Sequence, residues 1–233
     1  MSRRLGDVYK RQIKRGYIDK EGHIVIDSRN DEVYPMTPYG TIVKKDGLTA
    51  FLSPEGRTLI PPSRYTVGSI DIEDACLVLK SGYSGKCGLF DLSDGKQVID
   101  FRYDDITLLG FNRALGKDGS RRYLLDTSTG DVIASLPPNI GAAHFNETPV
   151  TWIFRAKSYY GIIDEEGNIL YEDAKDPLTG VTKFRHGFSG GQKDNKKWGI
   201  LKSDGTWLVH PTYDYIKLLL SLIHISEPTR HSL

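Results

Sequence analysis

Six stretches of the chain repeat one order of positions. A small or aromatic residue and usually a glycine come first, then two apolar residues, a polar turn closed by glycine, and a second apolar run. They are GYIDKEGHIVI (16–26), LTAFLSPEGRTLI (48–60), CGLFDLSDGKQVI (87–99), RYLLDTSTGDVI (122–133), YGIIDEEGNIL (160–170) and WGILKSDGTWLV (198–209). Their turn glycines are Gly22, Gly56, Gly95, Gly130, Gly167 and Gly205, separated by 34, 39, 35, 37 and 38 residues. A period near 37 residues is the signature of a tandem-repeat architecture.

Each stretch reads as a β-hairpin. Asp19 and Asp164 stand three residues before their glycines, which suits a type I turn whose last residue is left-handed. Asp91 and Asp126 open turns one residue longer. Glycine after the aromatic position weakens a strand, and is reasonable where a neighbouring aromatic ring lies over the bare backbone. Between hairpins a second pattern recurs more weakly: a Tyr-Asp-like corner in 61–65, 101–106 and 210–216, then apolar runs in 73–79, 112–116 and 150–154. The unit therefore holds three or four short strands. No window carries an apolar stripe at helical spacing, so helices are expected to be few and short. A unit this small cannot bury both faces of its strands, so neighbours must stack. The expected fold is all-β, either propeller-like or an open superhelical β-array.

At KWGILKSDGTWLVHPTYDYI (197–216) the order of residues resembles the WG-repeat family. Residues 160–170 and 87–106 look like further copies, and 16–26 like the first half of another. The stretches at 48–60 and 122–133 depart from it: both lack the glycine after the aromatic position, and Ser53 replaces the turn aspartate of the former. The resemblance covers nearly all of 13–219. It implies a β-rich interaction or scaffold module, of a kind found mostly in bacteria and without a defined molecular activity.

The two ends read as foreign. One permitted codon choice for LSLIHISEPTR (220–230) has a reverse complement encoding SRGLGDVYKRQ, and residues 2–12 are SRRLGDVYKRQ, different only at Arg4. This inverted match is similar to a transposase end used in sequencing libraries, so 1–12 and 220–233 are expected to be adapter sequence on a metagenome-derived fragment and to have no packed role. An edge strand formed there by chance is allowed, because open sheet edges accept partners. The repeat domain is then 13–219, about six units cut at both ends, and Met1 carries no information on export. Removing the tails takes away five basic and two acidic side chains, which turns the formal net charge from +1 to −2 and removes a basic N-terminal arm.

Composition narrows function by exclusion. Hydrophobic residues are 39% and charged residues 26%, so the chain is not disordered as a whole. Near-balanced charge offers no field for nucleic acid, and no apolar run is long enough for a membrane helix. Asp19, Asp91, Asp126 and Asp164 recur at one place in the unit, which identifies turn formation rather than catalysis or an EF-hand. Asp71, Glu73, Asp74, Asp104, Asp105 and Glu147 lie outside the repeated turns and are the candidates for a glycosidase-like pair, which needs a defined separation. His23, His144, His186 and His210 lack metal-ligand spacing. FRHGFSGGQ (184–192) lacks the ending of a P-loop and reads as a flexible loop between strands. If the runs around Cys76 and Cys87 pair, Cys87 faces Leu79 and the two thiols fall on opposite faces. Trp198 is structural, while Trp152 and Trp207 are candidates for a binding surface.

The expected function is a non-enzymatic scaffold, without metal or cofactor, presenting a β-rich surface to a protein. The alternatives are a module binding cell-envelope glycans and a propeller-type hydrolase. An exposed row of Trp and Tyr favours the glycan, two converging non-repeat carboxylates favour the enzyme, and a pocketless surface of mixed character favours the scaffold.

Overall fold

The computed structural model describes residues 14–145, 148–155, 158–173, 175–218 and 223–226. Among them there is no helix. The chain begins with a two-stranded sheet, β1 (Arg15–Ile18) and β2 (Ile24–Asn30). Five four-stranded sheets follow: β3 (Glu32–Val33), β4 (Thr41–Lys45), β5 (Leu48–Leu52) and β6 (Thr58–Ser63); β7 (Tyr65–Asp71), β8 (Cys76–Ser81), β9 (Cys87–Asp91) and β10 (Gln97–Tyr103); β11 (Asp105–Gly110), β12 (Arg113–Asp118), β13 (Arg121–Asp126) and β14 (Val132–Leu136); β15 (Gly141–Ala142), β16 (Val150–Arg155), β17 (Ser158–Asp164) and β18 (Ile169–Glu172); β19 (Gly180–Val181), β20 (Phe188–Gln192), β21 (Trp198–Lys202) and β22 (Trp207–Tyr213). A last pair, β23 (Tyr215–Leu218) and β24 (Ile223–Ser226), closes the described chain. Every sheet is an antiparallel meander in chain order. The repeating unit thus has four strands, with the repeated hairpin as its third and fourth.

The cores lie between consecutive sheets. Ile42, Phe51 and Ile60 of the first four-stranded sheet pack with Leu77, Leu79 and Phe90 of the second. Val78, Leu89 and Ile99 meet Ile106, Ala114 and Leu125 of the third, and the pattern continues through Trp152, Ile162, Leu178 and Leu201. Middle strands such as β8 and β9 are buried almost continuously, whereas β7 and β22 alternate. A strand covered on both faces needs an unbroken apolar run. At about 1.5–3 kcal/mol for each fully buried Leu, Ile or Phe, a unit deprived of its neighbours loses most of what holds it together.

The turn glycines do two jobs. All six have positive φ, as expected. Five also sit where the hairpin tip meets the last strand of the preceding unit. A Cβ on Gly95 would lie 2.3 Å from the Leu59 carbonyl oxygen, and one on Gly130 2.4 Å from that of Val98. Gly56 meets Val25 in the same way, and Gly167 and Gly205 meet the Ala134 and Tyr171 side chains. Turn chemistry and unit-to-unit stacking therefore select the same residue.

The glycine of the first hairpin strand has a reason beyond the aromatic cover expected for it. Phe101 and Trp207 do lie over Gly88 and Gly199, but a Cβ there would also stand 2.8 Å from the Ile99 carbonyl and 2.4 Å from that of Val209. The fourth strand bulges across Gly16, Gly88 and Gly199, which the ladder skips. Tyr123 occupies the same place in one of the two units that lack the glycine and pairs there with Ser135, whereas Ala50 in the other is skipped by the ladder as Gly88 is. Glycine and bulge are therefore not strictly coupled, since Gly161 is paired with Glu172 and Ala50 tolerates the bulge.

Two expectations need correction, and one allowance is met. Cys87 faces Lys80, not Leu79, because the connection between β8 and β9 sets a register one residue away. Cys76 is then an even number of positions off and shares the buried face with Cys87, at a distance along the strand of about 13 Å. Both thiols are free for that reason rather than by pointing apart. Residues 188–192 are not a flexible loop but the buried strand β20, with Gly190 and Gly191 admitting Ile216, Leu201 and Trp207. Ile223–Ser226, in the excluded tail, pairs along β23 from Tyr215–Ser226 to Leu218–Ile223, as an open edge permits.

Candidate functional site

The strands repeat, but the connections between the first and second strand of each sheet do not. Those at 72–75, 111–112, 182–187 and, in its described parts, 143–145 and 148–149 differ in length and sequence. Stacking brings these four segments, from four successive units, to one end of the array. The Asn112 amide joins the second connection to the first through Asp74 Oδ2 at 2.8 Å, and the Phe145 amide donates to the carbonyl of Leu109 in β11 at 2.7 Å. The repeated turns support them from below. The residue after the first turn position donates its amide to the connection of its own unit, Leu92 to Ala75 at 2.7 Å, Thr127 to Asn112 at 2.9 Å and Ser203 to Gly187 at 2.8 Å.

Backbone strain collects here. Ala75, Phe111, Asn112 and His186 are non-glycine residues with φ between 48° and 55°. Phe111 and Asn112 form the two-residue turn between β11 and β12, a geometry that wants positive φ at both central residues. Asn suits it; a phenylalanine there costs roughly 1–2 kcal/mol. Its ring is nevertheless 42% exposed, and leans on the buried Phe145 with centroids 6.3 Å apart.

Three adjoining cavities share His144 in their walls. The largest, of about 540 Å³, runs between β7 and β11 and is lined by Ser69, Asp71, Lys80, Asp105 and Thr107 among others. The second, of about 380 Å³, lies between Glu73 and Phe111 on one side and Lys183, Phe184 and Arg185 on the other. A smaller one of about 160 Å³ reaches Trp152 and Thr182. The half-exposed His144 ring contacts the Phe145 carbonyl through Nδ1 and stands 4.0 Å from Asp71 Oδ2 through Nε2. It presses on Gly110, where a Cβ would lie 2.6 Å from His144 Cε1.

Of the carboxylates outside the turns, Asp71 and Asp105 line the largest of these cavities and Glu73 the second, while Asp74 lies in the same 71–74 segment without lining any of the three. Asp71 Oδ1 accepts the amides of Glu73 and Asp74 at 2.9 and 3.1 Å. Burial raises the Asp74 carboxyl above the usual carboxylate value; the Asn112 amide opposes this, and Asp71 and Glu73 add to it. Asp104 is elsewhere: it accepts Lys86 Nζ and the Gly119 amide, both at 2.7 Å, and the Lys86 ammonium holds it low. Glu147 lies outside the described residues.

The remaining candidates are accounted for locally. Asp19, Asp126 and Asp164 accept two local amides or an amide and a side-chain donor within their turns, as does Asp91 from Ser93. Ser53 performs the same task toward the Arg57 amide. His23 is bonded to Asp19 and His210 lies over Trp207, while His186 belongs to the 182–187 connection. Trp152 is not a surface residue. It is 2% exposed, stacks on Phe184, and donates Nε1–H to Ser189 Oγ at 3.1 Å. Trp207 is half-buried against Gly191 and Gly199. Among the described residues no group of three His, Cys, Asp or Glu is placed to hold a metal ion.

Phe111, Phe145, Lys183 and Arg185 were not evident from sequence. The only signal they give is negative, since they fall where successive units fail to align. Glu73, Lys183 and Arg185 are exposed and their side chains have no ion-pair partner among the described residues.

A tandem array of four-stranded antiparallel sheets, stacked through glycine-closed hairpins, defines the class of this protein. The family model described as WG containing repeat matches residues 16–48, so the chain contains this repeat. No curated protein matches the chain. Among solved structures it is similar to the computationally designed Ika8 protein (15% identity over 88% of this chain and 72% of that one, TM-score 0.45), BamB from Moraxella catarrhalis (14%, 75% and 56%, 0.37) and Hsv2p of Kluyveromyces lactis (7%, 84% and 71%, 0.44). Among the described residues no helix is long and apolar enough to cross a membrane.

Proposed function

We propose that the protein is a non-enzymatic repeat scaffold that binds a protein partner on the end formed by the first-to-second-strand connections. The observation that carries this reading is Phe111, an aromatic side chain kept exposed beside a cavity at a position its backbone disfavours. Exposed aromatics seated in pockets are the usual anchors of protein interfaces. Three of the connections are held by amides of the repeated turns, and two of them by a bond to each other, which lowers the ordering cost of binding. Selection of displayed peptides against the wild-type protein, with Phe111→Gly as counter-target, tests the reading. Peptides that bind the first and not the second are expected; a selection yielding none overturns it.

A hydrolase is the second reading, supported by Asp71 and Asp105 around one cavity with His144. Turnover of chromogenic glycosides that disappears in Asp71→Asn and Asp105→Asn would replace the scaffold with an enzyme. The glycan-binding alternative has less support, because the Trp152 indole is buried and Trp207 is packed against glycines.

A further inference from the structure

The cavity of about 380 Å³ beside Phe111 has unlike walls. Lys183 and Arg185 stand on the connection of the fifth four-stranded sheet, on either side of buried Phe184. Glu73 stands on the connection of the second. The three charged side chains are exposed, and none has an ion-pair partner among the described residues. Among the described residues of these connections, Asp71 is occupied by the amides of its own loop and Asp74 by the amide of Asn112. Phe111 supplies the exposed apolar surface of the cavity, backed by the buried Phe145. The volume is at the low end of ligand pockets, enough for one bulky side chain and the groups beside it.

Resting on the proposed reading of this end as a protein-binding face, we infer that the cavity takes a short peptide segment with an acidic residue, an apolar residue and a basic residue in near succession. The apolar side chain seats against Phe111. The carboxylate faces Lys183 and Arg185, and the cation faces Glu73. A segment of uniform charge is repelled at one wall whichever way it lies. Rim charges of this kind act mainly through specificity and association rate, so the preference weakens as salt rises.

The test uses fluorescence anisotropy with three end-capped, labelled peptides, Glu-Gly-Phe-Gly-Lys, Gln-Gly-Phe-Gly-Gln and Lys-Gly-Phe-Gly-Lys. The wild-type protein should bind the first roughly tenfold tighter than the other two at low salt. In Lys183→Glu/Arg185→Glu both walls are acidic, and the preference should pass to the third peptide. Both substitutions are at exposed positions, and thermal unfolding confirms that the variant is folded. Equal binding of charged and uncharged peptides, or a preference that does not move in the double variant, overturns the inference. If peptides selected from the displayed library still bind in a Phe111-dependent way, the scaffold reading survives that failure; if none does, both fall together.

Discussion

The Asn112 amide reaches across to Asp74 Oδ2 at 2.8 Å, joining two connections that lie 38 residues apart in sequence. One period of the repeat separates them, so stacking alone makes the contact. The bond couples the strained Phe111–Asn112 turn to the acidic segment 71–74.

Asp74 should therefore register pH. Its folded carboxyl is raised above the usual value of 3.8, chiefly by burial, so the folded protein holds this proton more tightly than the unfolded chain. The stability it contributes is present at low pH and is lost as pH rises from about 4 through the raised value. Asp74→Asn keeps the acceptor for Asn112 and removes the charge. Several other carboxylates, Asp104 among them, are held low and act in the opposite direction, so the test is a difference. Between urea unfolding at pH 4 and at pH 7 the variant should lose less stability, or gain more, than wild type, and equal changes would mean Asp74 is not a source of the dependence.

Glycine at the turn serves two purposes that substitution can separate. Gly22 has φ of +90° and nothing within 4 Å of a built Cβ, whereas Gly95 has φ of +77° and the Leu59 backbone at 2.3 Å. Gly22→Ala should cost only the left-handed penalty, roughly 1–2 kcal/mol. Gly95→Ala adds overlap with backbone and should cost about 3 kcal/mol or more. Equal losses in denaturant titrations would show that the stacking contact carries no weight.

Ser189 is fully buried, accepts the Trp152 indole N–H at 3.1 Å and donates to the Thr182 carbonyl at 2.6 Å. Ser189→Ala strands both partners in the core and should destabilise by about 2 kcal/mol. Chemical denaturation followed by tryptophan fluorescence gives the number, and an unchanged midpoint would contradict the assignment.

The Cys76 thiol is pushed up to about 12 by burial, with Asp71, Asp74 and Asp91 adding to the effect, and burial raises Cys87 as well. Neither should react with iodoacetamide at pH 8 in the native protein, and both should react in denaturant. Fast labelling of the native protein would place one of them at the surface.

Phe111→Gly replaces a strained side chain with the residue the turn favours, and should leave stability unchanged or raise it by up to about 1 kcal/mol. Loss of peptide binding in that variant, read alongside its melting temperature, separates a role in recognition from a role in folding.

The repeat, the hairpins, the all-β class and the turn aspartates were legible in sequence because each depends on residues within about ten positions. Positive φ at Gly95 and Gly130 follows from the local turn, whatever lies around it. The face of a thiol was not legible, since a one-residue change in register reverses it and the connection after β8 decides that register. Nor was Trp152, whose neighbours Phe184 and Ser189 come from the next unit. Glu73, Phe111, His144 and Lys183 share one end of the molecule only because four sheets stack in order. Sequence by itself determined the unit, through short-range turn and strand chemistry; the stacking of units decided the site, because it alone sets side by side residues a whole period apart.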